Sequence, residues 1–182
     1  MSSFDQLVIP LIAREGGYVN DPNDSGGETK YGITVACARR NGYNGLMVNF
    51  PESEAKRIYR KEYWDSLRLD EIAAVSPEIA EELFDTGVNC GIGVAGKYLQ
   101  RCLNVLNRAQ KDYADLVVDG GIGSKTIATL IAYVNVRGLK GLKVLHTALN
   151  CLQGASYIEL AERRVKDEAF VYGWIKERVS SF

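Results

Sequence analysis

The most informative stretch of the sequence is Glu15–Thr34, EGGYVNDPNDSGGETKYGIT. It begins with a carboxylate at the end of a predicted helix and continues as a polar, glycine-rich loop. Upstream, apolar residues recur at the i, i+3 and i+4 spacing of a helix with one buried face, namely Phe4, Leu7, Val8, Leu11 and Ile12. The same register continues to Glu15 and places its side chain on the buried face. Gly16 and Gly17 follow at once and predict the end of the helix. A carboxyl group shielded from water at a helix end is suited to general acid catalysis.

The loop after Glu15 holds the other groups that hydrolysis of a glycosidic bond needs. Asp24 follows Glu15 with eight residues between them, and Thr29 follows Asp24 with four between. One carboxylic acid protonates the leaving oxygen, and a second carboxylate activates water or attacks the sugar. Asp21 is the alternative to Asp24 as the second carboxylate. The competing interpretation is that these residues only stabilise turns through local backbone bonds.

The spacing within this stretch is similar to that of a known family. The run E-G-G-Y, followed by P-x-D-x-G-G-x-T-x-x-G-I-T, resembles the signature of glycoside hydrolase family 108, the N-acetylmuramidases that include phage endolysins. The order of Glu, Asp and Thr also resembles that of phage-type lysozymes, with an Asp-to-Thr gap one residue shorter here. The resemblance covers almost the whole chain and implies that Glu15, Asp24 and Thr29 are the catalytic residues.

The activity that the resemblance implies is hydrolysis of peptidoglycan at the β-1,4 bond between N-acetylmuramic acid and N-acetylglucosamine. Glu15 is then the general acid, Asp24 helped by Thr29 holds the water, and neither a metal nor an organic cofactor is needed. The partners are the glycan strands of peptidoglycan. Two other functions stay open: a non-catalytic cell-wall-binding or secretion-associated protein, and a chitosanase-like hydrolase of another amino-sugar polymer.

Further residues are candidates for contact with the substrate, namely Tyr18, Tyr31, Trp64, Asp85 and Asn89. Trp64 ends a helical repeat, where an aromatic residue either belongs to the core or offers a platform for a sugar ring. Asp85 and Asn89 are four residues apart and share a helix face. Their segment, DTGVNCG, resembles the D-x-x-V-N-x-G segment of the family. They either line the sugar groove or form a capping pair at a helix end.

The remaining apolar patterns predict a mainly α, lysozyme-like fold with a small β-hairpin near the active site. The chain has 182 residues, 46% of them hydrophobic, which suffices for one domain or two small ones. Tyr18-Val19 and residues 29–33 are the predicted strands. We expect a lysozyme-like catalytic region over residues 1–92. Residues 93–182 resemble the helical, peptidoglycan-binding half of the family, and we expect the two regions to pack as one compact unit.

The net charge, the cysteines and the amino terminus limit which partners the protein can bind and where in the cell it can be. A net charge of −1 gives no basic field that would hold nucleic acid. The apolar stretch near the amino terminus is broken by Pro10 and follows no basic region, so we expect neither a secretory signal nor a membrane span. The four cysteines are widely spaced among apolar residues and predict buried free thiols without a metal. We therefore expect a monomer that is cytoplasmic before release and reaches the wall through a separate pore protein.

Overall fold

The structure of the protein is a computed structural model that describes residues 3–20 and 27–179. It divides into two compact units, Met1–Ser66 and Leu67–Phe182. Helices make up most of both units, and the β structure of the described residues is one antiparallel two-stranded hairpin. The predicted mainly α fold with a small β-hairpin is confirmed.

The first unit is built on helix α1, whose apolar face packs against helix α3. In chain order the unit contains α1 (Ser3–Glu15), β1 (Thr29–Lys30), β2 (Ile33–Thr34), α2 (Val35–Arg40), a one-turn 3-10 helix (Met47–Asn49), α3 (Glu52–Tyr59) and a π-helical continuation of α3 (Arg60–Asp65). The predicted inner face of α1 is buried, as Ile12 illustrates with 2% exposure. Asp5 and Lys56 form an ion pair between the two helices at 2.6 Å. The rings of Phe4 and Trp64 meet edge to face with centroids 5.4 Å apart.

The hairpin turns through two residues with left-handed backbone conformations. Lys30 pairs with Ile33, and between them Tyr31 and Gly32 have φ angles of 54° and 73°. Two successive positive φ angles suit the right-handed twist of the flanking strands, as in type I′ turns. Glycine adopts this conformation freely, but a tyrosine there is uncommon. Contacts with surrounding residues are therefore needed to stabilise the left-handed conformation of Tyr31 in this turn.

The predicted strand at Tyr18-Val19 is wrong. Val19 exchanges two backbone hydrogen bonds with Thr29, at 2.8 and 2.9 Å, but it forms only an isolated bridge. Residues 29–33, predicted as one strand, instead turn back on themselves and continue into β2. The physical reason is the left-handed pair at the middle of that run, which ends one strand and begins the next.

The second unit packs α5 and α6 against the long helix α7. In chain order it contains α4 (Leu69–Val75), α5 (Pro77–Cys90), α6 (Ile92–Val105), α7 (Ser124–Arg163), a one-turn 3-10 helix (Val165–Asp167), α8 (Glu168–Trp174) and a π-helical end (Ile175–Val179). Ser76 caps α5, because its Oγ accepts a hydrogen bond from Ile79 N at 3.3 Å. Gly138 breaks the helical geometry of α7 with φ 59° and ψ −158°. The bend divides α7 into two helical segments.

A layer of polar side chains lies where α5 meets the second segment of α7. Glu82 is 6% exposed, and its Oε1 accepts a long hydrogen bond from Thr86 Oγ1 at 3.4 Å. The buried Gln153 donates from Nε2 to Asp85 Oδ2 at 2.8 Å. Burial, followed by the neighbouring Asp85 carboxylate, raises the pKa of Glu82 to about 7. Near neutral pH this buried carboxyl group is therefore present in both its protonated and its ionised form.

We expect Glu82 to make the protein less stable as the pH rises. Because its pKa is raised in the folded state, its stabilising contribution is fully present below about pH 4.5 and is lost as the pH rises through about 7. Glu82→Gln keeps the shape without the charge, so at pH 8 it should raise the free energy of unfolding by about 2–3 kcal/mol. Urea unfolding at pH 5 and pH 8 measures this difference. Glu81→Gln, an exposed neighbour on α5, is the matched control, and an equal effect of both variants would contradict the assignment.

The cysteines are free thiols with different exposures. Cys102 is buried, Cys37 and Cys90 are half-buried, and Cys151 is exposed. The prediction of buried thiols is therefore wrong for Cys151, because apolar sequence neighbours on a helix do not fix which face a residue occupies. In the part of the chain that the structure describes, no helix has the length and apolar composition to cross a bilayer.

Candidate active site

Glu15 is the last residue of α1, and its side chain is exposed. The prediction that it lies on a buried face is wrong. Helical register fixes the direction of a side chain, but at a helix end its burial depends on the residues that follow. Gly16 leaves the helix with a φ of 76°, while its N–H still donates to Ile12 O at 3.2 Å. The carboxylate therefore stands in water at the point where the chain leaves α1.

Gly32 lets the Glu15 side chain pack directly on the hairpin turn. A β-carbon at Gly32 would lie 3.1 Å from Glu15 Cγ and 3.4 Å from Glu15 Cβ. The same β-carbon would lie 2.4 Å from Tyr59 Oη, which is closer than non-bonded atoms can approach. Glu15, Gly32 and Tyr59 thus meet at one point, and only glycine fits between the other two.

Hydrogen bonds tie the hairpin turn to the end of α1 and to α3. Tyr31 N donates to Gly16 O at 3.1 Å, and Tyr59 Oη donates to Tyr31 O at 3.1 Å. Burial raises the pKa of Tyr59, and the neighbouring Glu15 carboxylate raises it further. The phenol therefore keeps the proton that it donates to Tyr31. These bonds hold the left-handed Tyr31 from both sides and fix the surface on which Glu15 packs.

Thr29 is the first residue of β1, and it pairs with Val19, four residues after Glu15. Its backbone is paired with Val19, and its Oγ1 donates to Gly27 O at 3.3 Å. The half-buried hydroxyl oxygen keeps lone pairs with which to accept a hydrogen bond from water. The two candidates for the second carboxylate, Asp21 and Asp24, lie outside the described residues. Their roles stay predictions.

The aromatic candidates of the first unit have different surroundings. Tyr18 is 39% exposed, shortly after the end of α1. Tyr31 is half-buried in the hairpin turn, with Lys30 Nζ 5.2 Å from the centre of its ring. Trp64 is 1% exposed and packs against Phe4. Of the two alternatives for Trp64, the structure shows the core placement, in which the indole supports α1.

The polar candidates of the second unit lie on α5. Asn89 Nδ2 donates to the main-chain oxygen of Asp85 at 2.7 Å, which is the local bond of the capping alternative. The Asp85 carboxylate instead accepts from Gln153 and lies 3.6 Å from Arg178 Nε. Contact of Asp85 and Asn89 with the substrate stays a prediction.

Gly32 and Tyr59 are residues of this candidate site that the sequence analysis missed. Gly32 is part of the dipeptide Tyr31-Gly32, and a glycine inside a strand-like run is a signal for a turn or a close backbone approach. That signal was sufficient to find the hairpin turn. Tyr59 has no such signal, because its hydroxyl bonds to a residue 28 positions away, and its spacing on α3 indicates only a core residue.

Comparison with known proteins identifies two families along the chain. Residues 10–91 match the family described as glycosyl hydrolase 108, and residues 94–179 match the family described as predicted peptidoglycan domain. A search of the curated proteins finds no match. Among solved structures, that of Brucella abortus SagA is similar over 98% of this chain and 97% of that chain, with 24% sequence identity and a TM-score of 0.59. At this identity the similarity shows a shared fold.

The two family matches separate between residues 91 and 94, whereas the compact units separate after Ser66. Helices α4 and α5 thus belong to the hydrolase match by sequence and to the second unit by packing. The domain division at 92/93 stays a prediction. The resemblance to glycoside hydrolase family 108 is confirmed. The chain carries a domain of the glycosyl hydrolase 108 family followed by a predicted peptidoglycan domain, and it is a glycoside hydrolase.

Proposed function

We propose that the protein hydrolyses peptidoglycan at the β-1,4 bond between N-acetylmuramic acid and N-acetylglucosamine, with Glu15 as the general acid. The placement of Glu15 carries this proposal. It is an exposed carboxylate at the end of α1, packed on a hairpin turn that is itself hydrogen-bonded to α1 and α3. The two family matches support the reaction class and the polymer.

Glu15 supplies the proton that the leaving group needs. As the bond between the anomeric carbon and the glycosidic oxygen breaks, the carboxylic acid passes its proton to that oxygen, which leaves as the 4-hydroxyl of N-acetylglucosamine. Water attacks the anomeric carbon of N-acetylmuramic acid, and the proton of this water passes to Asp24 while Thr29 holds the water. Proton exchange with solvent then restores both carboxyl groups. The fixed surface around Gly32 orients Glu15 for the first transfer.

Residues near Glu15 are proposed to bind the sugar rings on either side of the cleaved bond. Tyr18 is exposed three residues after Glu15, and Tyr31 is bonded to Gly16 beside it. Asp85 and Asn89 are proposed glycan contacts of the second unit. The monomeric state and the release through a separate pore protein stay predictions.

The new reducing ends identify the bond that is cleaved. We expect purified peptidoglycan to lose turbidity in the presence of the protein and to release fragments that end in N-acetylmuramic acid, which mass spectrometry detects after borohydride reduction. Fragments that end in reduced N-acetylglucosamine would contradict the proposed bond. Hydrolysis of soluble chitosan but not of peptidoglycan would support the chitosanase-like alternative, and binding without hydrolysis would support the non-catalytic one.

We expect the reaction to invert the configuration at the anomeric carbon. Inverting enzymes hold their carboxyl groups ~6.5–9.5 Å apart to admit a water, whereas retaining enzymes hold them ~5–5.5 Å apart. Thr29, fixed through its backbone bonds to Val19, offers a hydroxyl for such a water. Proton NMR should therefore show an α-anomer as the first product of the β-linked substrate. A β-anomer at the earliest times would show retention and overturn the role of Asp24.

A further inference from the structure

We propose that the second unit contains a glycan-binding site that takes one pyranose ring of a peptidoglycan strand. The site is an aromatic ledge, defined as Tyr157, Phe170 and Trp174, with the ion pair of Asp85 and Arg178 at its edge. Binding here presupposes the proposed function, since it names the sugar ring as the part of peptidoglycan that this unit recognises.

The three rings of the aromatic ledge lead from the interior of the unit to its surface. Tyr157 on α7 is 5% exposed, and its ring centre lies 5.4 Å from that of Trp174. Phe170, one turn before Trp174 on α8, is 58% exposed. Its ring is stacked on the indole, with centres 6.1 Å apart and planes within 22°. The buried ring anchors the indole, and the outer ring offers the flat apolar surface that the C–H face of a pyranose requires.

Hydrogen-bonding groups border the ledge on the side of α5. Arg178 follows Trp174 by one helical turn, and its Nε lies 3.6 Å from Asp85 Oδ1. The two side chains are 17% and 29% exposed. A separation of 3.6 Å is an ion pair but too long for a hydrogen bond, so Asp85 Oδ1 can still accept a hydrogen bond from a sugar hydroxyl or acetamido N–H beside the Arg178 guanidinium. Binding sites combine apolar surfaces with a few such polar groups that fix orientation.

Gln153 orients Asp85 at a cost to stability. It is fully buried and donates to Asp85 Oδ2 at 2.8 Å. Its own Oε1 is buried without a hydrogen-bond partner among the described residues. An unsatisfied buried carbonyl destabilises the fold, so a buried glutamine here is better explained by the orientation of Asp85 than by packing.

The charge balance favours a sugar over the peptide part of peptidoglycan. Asp85 and Arg178 carry opposite charges, so the edge of the ledge is neutral as a pair. A stem peptide brings carboxylates, to which a neutral ion pair offers no net attraction. The N-acetylglucosamine ring of the strand is uncharged, and it presents both an apolar face for the rings and hydroxyls for the paired side chains.

Binding is measured in Glu15→Gln protein, so that the polymer stays intact. The ligand is glycan strands from which the stem peptides have been removed. We expect the tryptophan fluorescence to change during titration, and we expect Phe170→Ala to weaken binding about threefold to tenfold, as loss of one aromatic contact does. Tyr172→Ala is the matched control, because Tyr172 is 78% exposed on α8 but two residues away from both ring positions. Its affinity should equal that of the Glu15→Gln parent.

Two more variants separate binding from a structural role. Trp174→Phe should lose the fluorescence change, since the other tryptophan, Trp64, is buried in the first unit. Gln153→Met should weaken binding while the Tm stays equal or rises, a combination that the loss of a structural contact does not produce. A Gln153→Met protein that binds glycan strands with the affinity of the parent would overturn the role of the polar edge, whatever its Tm.

Equal affinities of Phe170→Ala and the parent would overturn the ledge, as would displacement of the bound glycan strands by free stem peptides. Failure of the ledge is distinguishable from failure of the proposed function. If the wild-type protein releases N-acetylmuramic acid ends while Phe170→Ala binds normally, only the ledge is wrong. If the wild-type protein neither hydrolyses peptidoglycan nor binds glycan strands, both are wrong.

Discussion

Glu15→Gln should lower the rate of peptidoglycan hydrolysis by several orders of magnitude without a change in Tm. Glutamine keeps the packing on Gly32, because Cβ and Cγ are retained, but it cannot protonate the glycosidic oxygen. General acid catalysis contributes about 10²–10⁴-fold, and loss of a group that acts in concert with others can exceed this. The release of reducing ends from purified peptidoglycan measures the rate, and thermal unfolding checks the fold.

Glu28→Gln is the control for this experiment. Glu28 lies in the same loop, is half-buried and undergoes the same chemical change. It should hydrolyse peptidoglycan at the wild-type rate. A folded Glu15→Gln protein that cleaves nearly as fast as Glu28→Gln would remove Glu15 from the role of general acid.

Gly32→Ala should damage both the fold and the activity. The new β-carbon would overlap Tyr59 Oη, and Tyr59 is 2% exposed, so its ring has little room to move. We expect a loss of about 2–4 kcal/mol in the free energy of unfolding, from the left-handed backbone and the overpacking together. We expect the rate of hydrolysis to fall about 10²-fold in protein that is still folded, because the Glu15 side chain can no longer pack on the hairpin turn at residue 32. Urea unfolding and the rate of reducing-end release measure the two effects.

Gly42→Ala separates backbone strain from the steric overlap. Gly42 also has a left-handed conformation, with φ 90°, but a β-carbon there would meet nothing within 4 Å. It should cost only the strain of the left-handed conformation, about 1–2 kcal/mol, and leave hydrolysis at the wild-type rate. Equal losses of activity in Gly32→Ala and Gly42→Ala would show that the contact with Tyr59 and Glu15 does not matter.

The sequence was a good guide where local chemistry decides the structure. The apolar spacing before Glu15 predicted α1 and its buried face, and the two glycines predicted its end at Glu15. Ser76 and Pro77 begin α5 through a side-chain cap and a proline that needs no amide partner. In each case the physical cause lies within a few residues of its effect.

The sequence was a poor guide where distant segments decide the structure. The exposure of Glu15 depends on the path of the chain after Gly16, not on helical register. The burial of Trp64 depends on Phe4, and the surface on which Glu15 packs depends on Tyr59. Each of these partners is far away along the chain. A single sequence carries the apolar character of these aromatic residues but not the identity of their neighbours.

Because Val19 and Thr29 hold each other through two backbone hydrogen bonds, the loop from residue 20 to residue 28 begins and ends at a closed pair. The entropy of closing such a loop grows slowly, by about 0.6 kcal/mol for each doubling of its length. Insertions and deletions within the loop therefore place little stress on α1 or on the hairpin. The stretch between Val19 and Thr29 is therefore the place to exchange residues when the proposed specificity for wall polymers is to be changed by engineering, because the proposed acid, Glu15, lies outside the exchanged residues.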